Sequence, residues 1–370
     1  MKGLVLAGGS GTRLRPITHT SAKQLVPVAN KPILFYGLED LAAAGIREVG
    51  IVVGDTAAEI EAAVGDGSAF GLDVTYIAQD APRGLAHAVL IAREFLGDDD
   101  FVMYLGDNLL RSGVAEFVQR FETDRAETSK PRLGEDALRP PTAQILLARV
   151  PDPQRFGVAA FDADGHVAGL VEKPDVPPSD LALVGVYLFD ATIHEAVRAI
   201  ASSPRGELEI TDAIQWLVDN GFRVRHEVLD GWWKDTGKLE PLLEGNRLVL
   251  EAIETRIEGM VDDSSSIDGR VQVGAGAEIK GSQIRGPAVI GPRCRIVNSY
   301  VGPFTSIDAD CEVIDSEIEQ SIVLSDCRIV GVPRMADSLI GRSASVTCSD
   351  RRPKAIRLML GDHYQADLAR

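Results

Sequence analysis

The sequence predicts an α/β protein in which a doubly wound mixed sheet is followed by a C-terminal left-handed parallel β-helix. Two observations predict this fold class. In the N-terminal part, short apolar runs alternate with segments of helical length, as in a parallel sheet with crossover helices. From residue 267 onward, an apolar residue recurs at intervals of six, six and five residues, which is typical of a β-helix built from hexapeptide-type repeats.

The N-terminal part is predicted to form the parallel core of the sheet. The apolar runs predict strands and the intervening segments predict helices: strands at 2–7, 49–53, 74–77 and 101–105, helices at 32–44, 57–64 and 86–95. Ligands of such sheets bind beyond the carboxyl ends of the strands. We therefore expect functional residues after the first strand and at Gly106-Asp107-Asn108, although a Gly-Asp-Asn sequence is by itself a common turn.

Beyond residue 142 the order of elements becomes mixed. The predicted elements are strands at 144–148, 158–161, 167–171, 183–189 and 224–228, and helices at 191–200 and 210–220. Asp162-Ala163-Asp164-Gly165 is predicted to be a hairpin turn between two of these strands. Residues 122–142 are polar, rich in opposing charges and without apolar periodicity, which predicts a solvated surface insertion.

The repeat region supplies thirteen apolar positions that should form one buried column. They are Ile267, Val273, Ile279, Ile284, Ile290, Ile296, Val301, Ile307, Val313, Ile318, Leu324, Val330 and Met335. Each coil thus has seventeen residues, so Cys294 and Cys311 should stack on adjacent coils. The predicted domains are an N-terminal domain at 1–238, a connecting helix at 239–258, the β-helix at 259–348 and a tail at 349–370.

Composition argues against several classes of partner and site. The formal net charge is -17 with no offsetting basic cluster, which disfavours nucleic acid and anionic membranes as partners. Without a signal-peptide pattern or an apolar run long enough to span a bilayer, we expect a soluble cytoplasmic protein. The four cysteines contain no CxxC pair, which disfavours zinc and predicts buried, reduced side chains: Cys294, Cys311, Cys327 and Cys348.

The loop after the first strand has the composition of a polyphosphate site. Glycines at 8, 9 and 11 let the backbone present successive N–H groups, and Arg13, Arg15 and Lys23 add positive charge. The spacing matches neither the Walker A loop nor the dinucleotide GxGxxG motif. A glycine-rich turn alone could be only a tight connection, but the full pattern GGxGTRLxP followed by Lys23 is more specific.

This pattern resembles the sugar-phosphate nucleotidyltransferases, which are also called nucleotide-sugar pyrophosphorylases. Three later motifs occur in the order that this family uses, although each has a structural alternative when taken singly: Glu172-Lys173-Pro174, Glu207-Leu208-Glu209-Ile210-Thr211-Asp212 and Gly231-Trp232-Trp233-Lys234-Asp235-Thr236-Gly237. The resemblance runs almost the full length and is strongest to the long-form glucose-1-phosphate thymidylyltransferases. It implies a Rossmann-like catalytic domain.

The resemblance also implies roles for matched positions. Arg13, Lys23 and Lys173 would be catalytic, and Asp107 and Asp235 would hold Mg²⁺. The nucleotide would contact Leu6, Gly8, Gly9, Gly11, Thr12, Arg13, Gln79, Gly84 and Asp107. The sugar phosphate would contact Asn108, Gly157, Glu172, Lys173, Val184, Thr211 and Trp233.

The implied reaction joins dTTP and glucose-1-phosphate into dTDP-glucose and releases pyrophosphate, as in deoxysugar biosynthesis. Enzymes that use UTP or ATP remain alternatives, because one loop decides the base. A non-catalytic regulator that binds nucleotide sugars is an alternative of another class. An acyltransferase in the β-helix is disfavoured because no histidine lies between residues 259 and 348. We also expect a homo-oligomer, a dimer or a tetramer.

Overall fold

The structure, a computed structural model, describes residues 1–9, 11, 14, 17, 22–128 and 139–348. The chain forms two compact units, and both are discontinuous in sequence. The first unit comprises Met1–Ser10 and Leu34–Trp233, and the second comprises Gly11–Ile33 and Lys234–Arg370. The segment after the first strand therefore groups with the C-terminal part of the chain, whereas the sequence analysis counts it with residues 1–238.

The predicted helices other than the connecting helix at 239–258 begin and end close to the expected positions, and one further helix, Ala115–Thr128, was not predicted. They are α1 Ile33–Ala43, α2 Ala57–Val64, α3 Leu85–Ile91, α4 Arg93–Leu96, α5 Ala115–Thr128, α6 Ile193–Ala199, α7 Ile210–Asp219 and α8 Leu239–Leu250. The helix predicted at 86–95 is interrupted at Ala92, and α3 and α4 lie on either side of it. Short 3-10 turns lie at Lys23–Leu25, Ser68–Phe70 and Pro153–Arg155.

The first unit is organised around a nine-stranded mixed sheet. The strands up to the start of α8 are β1 Lys2–Leu6, β2 Pro27–Val28, β3 Lys31–Pro32, β4 Glu48–Val53, β5 Asp73–Ala78, β6 Phe101–Leu105, β7 Asn108–Leu110, β8 Ala143–Arg149, β9 Gly157–Phe161, β10 Val167–Glu172, β11 Leu181–Phe189, β12 Val224–Val228 and β13 Trp233–Asp235. The order along the sheet is β10-β9-β11-β6-β1-β4-β5, and β8 pairs with β11 and β12.

The pairing confirms the predicted mixed topology. β1 runs parallel to β4 and β6, and β5 runs parallel to β4. β11 is antiparallel to β6, and β9 and β10 form the hairpin predicted around Asp162–Gly165. The central strands are apolar on both faces because helices cover the sheet, and Leu4, Phe101 and Phe189 are fully buried.

The predicted insertion at 122–142 is partly helical. Helix α5 continues to Thr128, and residues 129–138 lie outside the described part of the chain. The Arg125 guanidinium forms ion pairs with Asp100 at 3.0 Å and Asp190 at 2.9 Å. These contacts hold the polar last turns of α5 against the sheet. Apolar periodicity could not predict them, because they are ion pairs between residues distant in sequence.

The second unit contains the left-handed β-helix, whose three parallel sheets follow the predicted repeat. Its strands are β14 Arg256–Ile257, β15 Met260–Val261, β16 Ser266–Asp268, β17 Val271–Val273, β18 Glu278–Lys280, β19 Gln283–Arg285, β20 Ala288–Ile290, β21 Arg295–Val297, β22 Tyr300–Val301, β23 Thr305–Ile307, β24 Glu312–Ile314, β25 Glu317–Ile318, β26 Ile322–Val323, β27 Arg328–Val330, β28 Leu339–Ile340 and β29 Ser345–Thr347.

The boundary before the β-helix differs from the prediction. Helix α8 ends at Leu250 rather than 258, and β14 begins at Arg256 rather than 259. Arg256 and Ile257 pair with Gln272 and Val273 of the next coil. These two residues form a strand because they pair with a coil that follows them in the sequence. No local sequence pattern predicts that pairing.

The apolar column is confirmed except in one coil and at its two end members, Ile267 and Met335, which are only partly buried. Val301 aligns with Ile318 seventeen residues later, but Ile307 aligns with Val323, sixteen residues later. The buried column accordingly contains Val323 and Ile329 in place of the predicted Leu324 and Val330. The sequence could not decide between these registers because each predicted position is directly preceded by another apolar residue, Val323 before Leu324 and Ile329 before Val330.

The cysteine prediction is confirmed for three of the four residues. Cys294, Cys311 and Cys327 are buried and reduced, and the Cys327 N–H donates to the Cys311 sulfur at 3.4 Å on the adjacent coil. Cys348 is exposed, contrary to the prediction. It follows the last described strand, β29, and no further coil of the described residues packs against it.

Among the described helices, none combines the length and apolar character that a bilayer span requires.

Candidate active site

The glycine-rich loop is described only in part. Gly8 and Gly9 follow β1, and Gly11 adopts a left-handed conformation with φ of 60°. The Gly11 carbonyl accepts a hydrogen bond from the Leu14 N–H at 3.0 Å. The predicted Thr12 and Arg13 lie outside the described residues.

The backbone beyond β1 and the backbone beyond β4 approach so closely that a side chain at Gly54 would clash, and little room is left at Gly8. A Cβ at Gly54 would lie 2.9 Å from the Gly8 carbonyl oxygen, and a Cβ at Gly8 would lie 3.1 Å from Gln79 Oε1. Leu6 ends β1 at the same edge of the sheet. Backbone and the Gln79 amide therefore meet at this edge, where the sequence analysis places the nucleotide.

The Gln79 side chain is held by a histidine that the sequence analysis did not include. Gln79 Nε2 and His87 Nδ1 of α3 are 3.0 Å apart. When the imidazole proton is on Nε2, His87 Nδ1 accepts from the Gln79 amide, and Gln79 Oε1 is left to accept elsewhere. This contact sets which end of the amide is presented to a ligand.

Gly84 has a backbone that only glycine can supply at this place. Its φ is 102°, and a Cβ there would lie 2.3 Å from the Leu208 carbonyl oxygen. The Leu208 carbonyl accepts from the Ala86 N–H at 3.0 Å, and the Leu208 N–H donates to the Arg83 carbonyl at 2.8 Å. The segment that carries the predicted nucleotide-binding residue Gly84 is thereby fastened to the segment that carries Glu207 and Glu209.

Asp107 and Asn108 follow β6, as predicted. The buried Asn108 donates from Nδ2 to the Val184 carbonyl at 2.5 Å, so two of the predicted sugar-binding residues are in direct contact. Gly185 permits this approach, since a Cβ there would lie 2.5 Å from Asn108 Nδ2. The half-buried Asp107 has its carboxylate close enough to Tyr104 to contribute to the high pKa of that phenol, after burial and Asp40.

Glu172 is the centre of a charged cluster at the end of β10. Its carboxylate lies 3.5 Å from Lys173 Nζ and accepts from the Thr211 hydroxyl at 3.4 Å. A Cβ at Gly157 would lie 2.6 Å from the Thr211 methyl and 3.1 Å from Glu172 Oε2. Burial raises the pKa of the Glu172 carboxyl against the opposing charge of Lys173. The structure therefore brings together four predicted sugar-phosphate residues.

Arg205 joins this cluster and was missed by sequence reasoning. Its guanidinium lies 3.2 Å from Glu172, 3.2 Å from Glu207 and 3.4 Å from Glu209. The alternating spacing Arg205, Glu207, Glu209 was a local signal that could have identified it. With Lys173, this arginine gives the pocket two cations that an anionic ligand could engage.

Trp233 supplies an aromatic wall with an available donor. Its ring packs edge-on against Phe156 at a centroid distance of 5.2 Å. Its buried Nε1–H has no hydrogen-bond acceptor within the part of the chain that the structure describes. Because a buried indole N–H normally finds an acceptor, this donor is suited to a ligand hydroxyl.

Lys23 and Asp235 meet within the second unit. Lys23 Nζ lies 3.9 Å from Asp235 Oδ1, which also accepts from the Gly237 N–H at 3.1 Å. A Cβ at Gly237 would lie 2.9 Å from Lys23 Nζ, so glycine leaves room for the ammonium. The last motif of the sequence thus fixes a carboxylate beside the lysine that closes the first motif.

A different group of acidic residues has metal-ligand geometry, but it is already engaged. Asp162, Asp164 and His166 lie together and exposed in the β9–β10 turn. Asp162 Oδ1 accepts from the N–H groups of Asp164 and His166 at 3.0 and 2.8 Å, which stabilises the turn. This group therefore has a structural role.

Comparison with known proteins agrees with these motifs. A family model described as nucleotidyl transferase matches residues 2–252. A glucose-1-phosphate thymidylyltransferase of Streptomyces griseus is 59% identical over 369 residues, covering 100% of both chains. One from Streptomyces antibioticus is 58% identical over 368 residues, covering 100% of this chain and 99% of the relative.

Solved structures show the same fold. A crystal structure from Bacillus anthracis, assigned as a glucose-1-phosphate thymidylyltransferase in complex with sucrose, is 33% identical with a TM-score of 0.61 and covers 69% of this chain and 97% of its own. A UDP-glucose pyrophosphorylase complexed with UDP-glucose has a TM-score of 0.57 over 68% of this chain and 99% of its own. At 23% identity, this second likeness concerns the fold alone.

Proposed function

The chain belongs to the nucleotidyl transferase family, and we propose that it transfers a thymidylyl group from dTTP to glucose-1-phosphate, releasing pyrophosphate. The observation that carries this proposal is the identity of 59% and 58%, over essentially the whole chain, to two Streptomyces enzymes of that activity. A phosphate oxygen of glucose-1-phosphate attacks the α-phosphorus, and the bond to the β-phosphate oxygen breaks. The pyrophosphate leaves with the electron pair of that bond.

The nucleotide side of this reaction falls to Gly8, Gly11, Gln79 and Gly84. Thymine presents an N–H between two carbonyl groups. Gln79 Oε1 would accept from that N–H while its Nε2 is held by His87, and glycine at position 84 keeps the facing backbone accessible. Arg13 and Lys23 would neutralise the departing phosphates, since phosphoryl and nucleotidyl transfer depends chiefly on positioning and charge.

The sugar-phosphate side falls to the Glu172 cluster. The Glu172 carboxylate would accept from sugar hydroxyls, and the Trp233 N–H would donate to one. Lys173 and Arg205 would hold the phosphate, whose attacking oxygen must stay anionic. Asn108 would fix the Val184 backbone against the sugar. These groups bind and orient the substrate, which is the main contribution that an enzyme makes to such a transfer.

Asp107 and Asp235 are the residues that would hold Mg²⁺. A half-buried carboxylate beyond a strand end and a carboxylate beside a lysine match the oxygen donors that this cation prefers. When bound, the ion would withdraw negative charge from the triphosphate.

The proposal is tested by measuring pyrophosphate release from glucose-1-phosphate with dTTP, UTP and ATP in parallel. We expect the highest kcat/KM with dTTP and formation of dTDP-glucose. A preference for UTP or ATP would overturn the base assignment. No release with any of the three, together with tight binding of dTDP-glucose, would instead identify a non-catalytic binding protein.

A further inference from the structure

The hairpin formed by β2 and β3 in the second unit turns through an unfavourable backbone. Val28 pairs with Lys31, so the two-residue turn is Ala29-Asn30. Both residues have positive φ, 48° and 62°, as a two-residue turn that matches the strand twist requires. Asn adopts this left-handed conformation readily, whereas Ala does so only at a cost in free energy. Such a conformation is therefore kept only where surrounding contacts enforce it.

Those contacts come from Asn246 of α8. Asn246 is fully buried, and its Oδ1 accepts from the Ala29 N–H at 2.8 Å and from the Ser306 hydroxyl at 3.0 Å. Its Nδ2 donates to the Phe304 carbonyl at 3.1 Å. One side chain therefore joins the turn of the hairpin, helix α8 and strand β23 of the β-helix.

A second side chain strengthens the same connection. Asn30 Nδ2 donates to the Ile307 carbonyl of β23 at 2.6 Å. Apolar burial supports it, since Val26 and Val28 are 1% and 0% exposed. The hairpin turn is thus bound to one coil of the β-helix directly through Asn30 and, by way of Asn246 of α8, through Ala29.

The two ends of this connection lead directly to Lys23 and Asp235. The 3-10 turn Lys23–Leu25 ends one residue before β2, and Asp235 ends β13 shortly before α8 begins at Leu239. Lys23 and Asp235 belong to the same compact unit as the β-helix and lie 3.9 Å apart. A change in the hairpin or in α8 would therefore alter the separation of these two charged groups.

We propose that Asn246 is a positioning residue, through which the β-helix fixes the Lys23 segment and Asp235 for catalysis. This inference rests on the proposed roles of Lys23 and Asp235 in the transfer reaction. It gives the repeat domain a part in catalysis without any reacting group of its own. A small displacement of a charged group in a reaction of this kind is costly, because the reaction depends on geometry.

The test compares Asn246→Ala with Ser299→Ala, a matched control in the β-helix. The buried Ser299 hydroxyl donates to the Val297 carbonyl at 2.7 Å and accepts from the Ser316 N–H at 3.1 Å, remote in sequence from the hairpin. Both variants leave buried polar groups unpaired and should lower Tm. We expect kcat to fall about tenfold or more in Asn246→Ala and to stay within about twofold in Ser299→Ala.

A rescue variant separates positioning from general loss of stability. Ala29→Gly removes the backbone cost at the turn, so the hairpin keeps its shape with less help. Adding Ala29→Gly to Asn246→Ala should recover about half of the lost kcat on a logarithmic scale. Equal kcat in Asn246→Ala and Ser299→Ala, or no recovery in the double variant, would overturn the proposal.

A readout without catalysis keeps this inference distinct from the proposed function. Hydrogen exchange of the peptide covering residues 23–33 should accelerate in Asn246→Ala and remain unchanged in Ser299→Ala. Unchanged exchange in both variants would show that Asn246 does not hold the hairpin. Failure of the proposed function would appear differently, as absence of pyrophosphate release from the unmodified protein.

Discussion

In the β-helix, most contacts repeat every seventeen residues, whereas in the nine-stranded sheet each contact is particular to its place. Arg293 pairs with Asp310, and Asn298 pairs with Asp315, both seventeen residues apart. In the sheet unit, Asn108 reaches Val184 across 76 positions, and Arg125 reaches Asp190 across 65. Contacts in a periodic region can be predicted from sequence wherever the repeat length holds. An aperiodic region can be predicted only where a motif marks it.

The residues proposed to act in the reaction are divided between the two units. The residues proposed to hold the sugar phosphate belong to the sheet unit, but Lys23 and Asp235 belong to the unit of the β-helix. The repeat region is therefore more than an appended structure if these two residues act in the reaction. The predictions below test this division in order of decreasing effect.

The largest effect is expected from Asp107→Asn in the sheet unit and Asp235→Asn in the β-helix unit. Each removes a carboxylate charge proposed to hold Mg²⁺, so kcat should fall roughly a hundredfold or more. Steady-state kinetics across Mg²⁺ concentrations measures this. Asp164→Asn, on the exposed β9–β10 turn, is the control and should retain activity. Near-normal activity in Asp235→Asn would confine the metal chemistry to the sheet unit.

Features with a local or periodic sequence signal could be predicted, whereas features that depend on tertiary contacts could not. The positions of most strands along the chain, the hairpin at Asp162–Gly165 and the seventeen-residue repeat were predictable because each has a local or periodic signal. His87 was missed because no local pattern indicates its contact with Gln79. Arg205 was missed because its alternation with Glu207 and Glu209 gains meaning only when the fold brings Glu172 beside it. Asn246 was missed because one polar residue in a helix gives no indication that it will be buried against a turn more than two hundred residues earlier.

The second prediction tests the one coil in which the repeat failed. Ile329 is fully buried in the column and Val330 is half-buried. Ile329→Ala should lower the free energy of unfolding by about 2–4 kcal/mol, because it leaves a cavity in the core. Val330→Ala should cost less than about 1 kcal/mol. Urea denaturation measures both, and a larger loss at Val330 would restore the register predicted from sequence.

The third and smallest effect concerns Glu172 in the aperiodic unit. Burial raises the pKa of this carboxyl, so the protonated form is favoured on folding and the associated stability is lost as pH rises through the raised pKa. Glu172→Gln mimics the protonated form. The Tm of the unmodified protein, relative to that of Glu172→Gln, should therefore fall as pH rises from roughly 4 to 8.

Asp162 provides the control of opposite sign. Backbone hydrogen bonds from His166 and Asp164 lower the pKa of its carboxyl, so its contribution to stability is lost as pH falls. The Tm relative to Asp162→Asn should rise with pH. The same slope in both pairs of proteins would contradict the assigned causes of these shifts.

We propose that the protein catalyses a direct in-line transfer by positioning and charge, without a covalent intermediate. The most direct test uses dTTP with a single sulfur at the α-phosphorus in one configuration, together with glucose-1-phosphate. The configuration of the thio-substituted dTDP-glucose is then determined by ³¹P NMR. A single displacement predicts inversion at the α-phosphorus. Retention would require two successive displacements, and would contradict the claim.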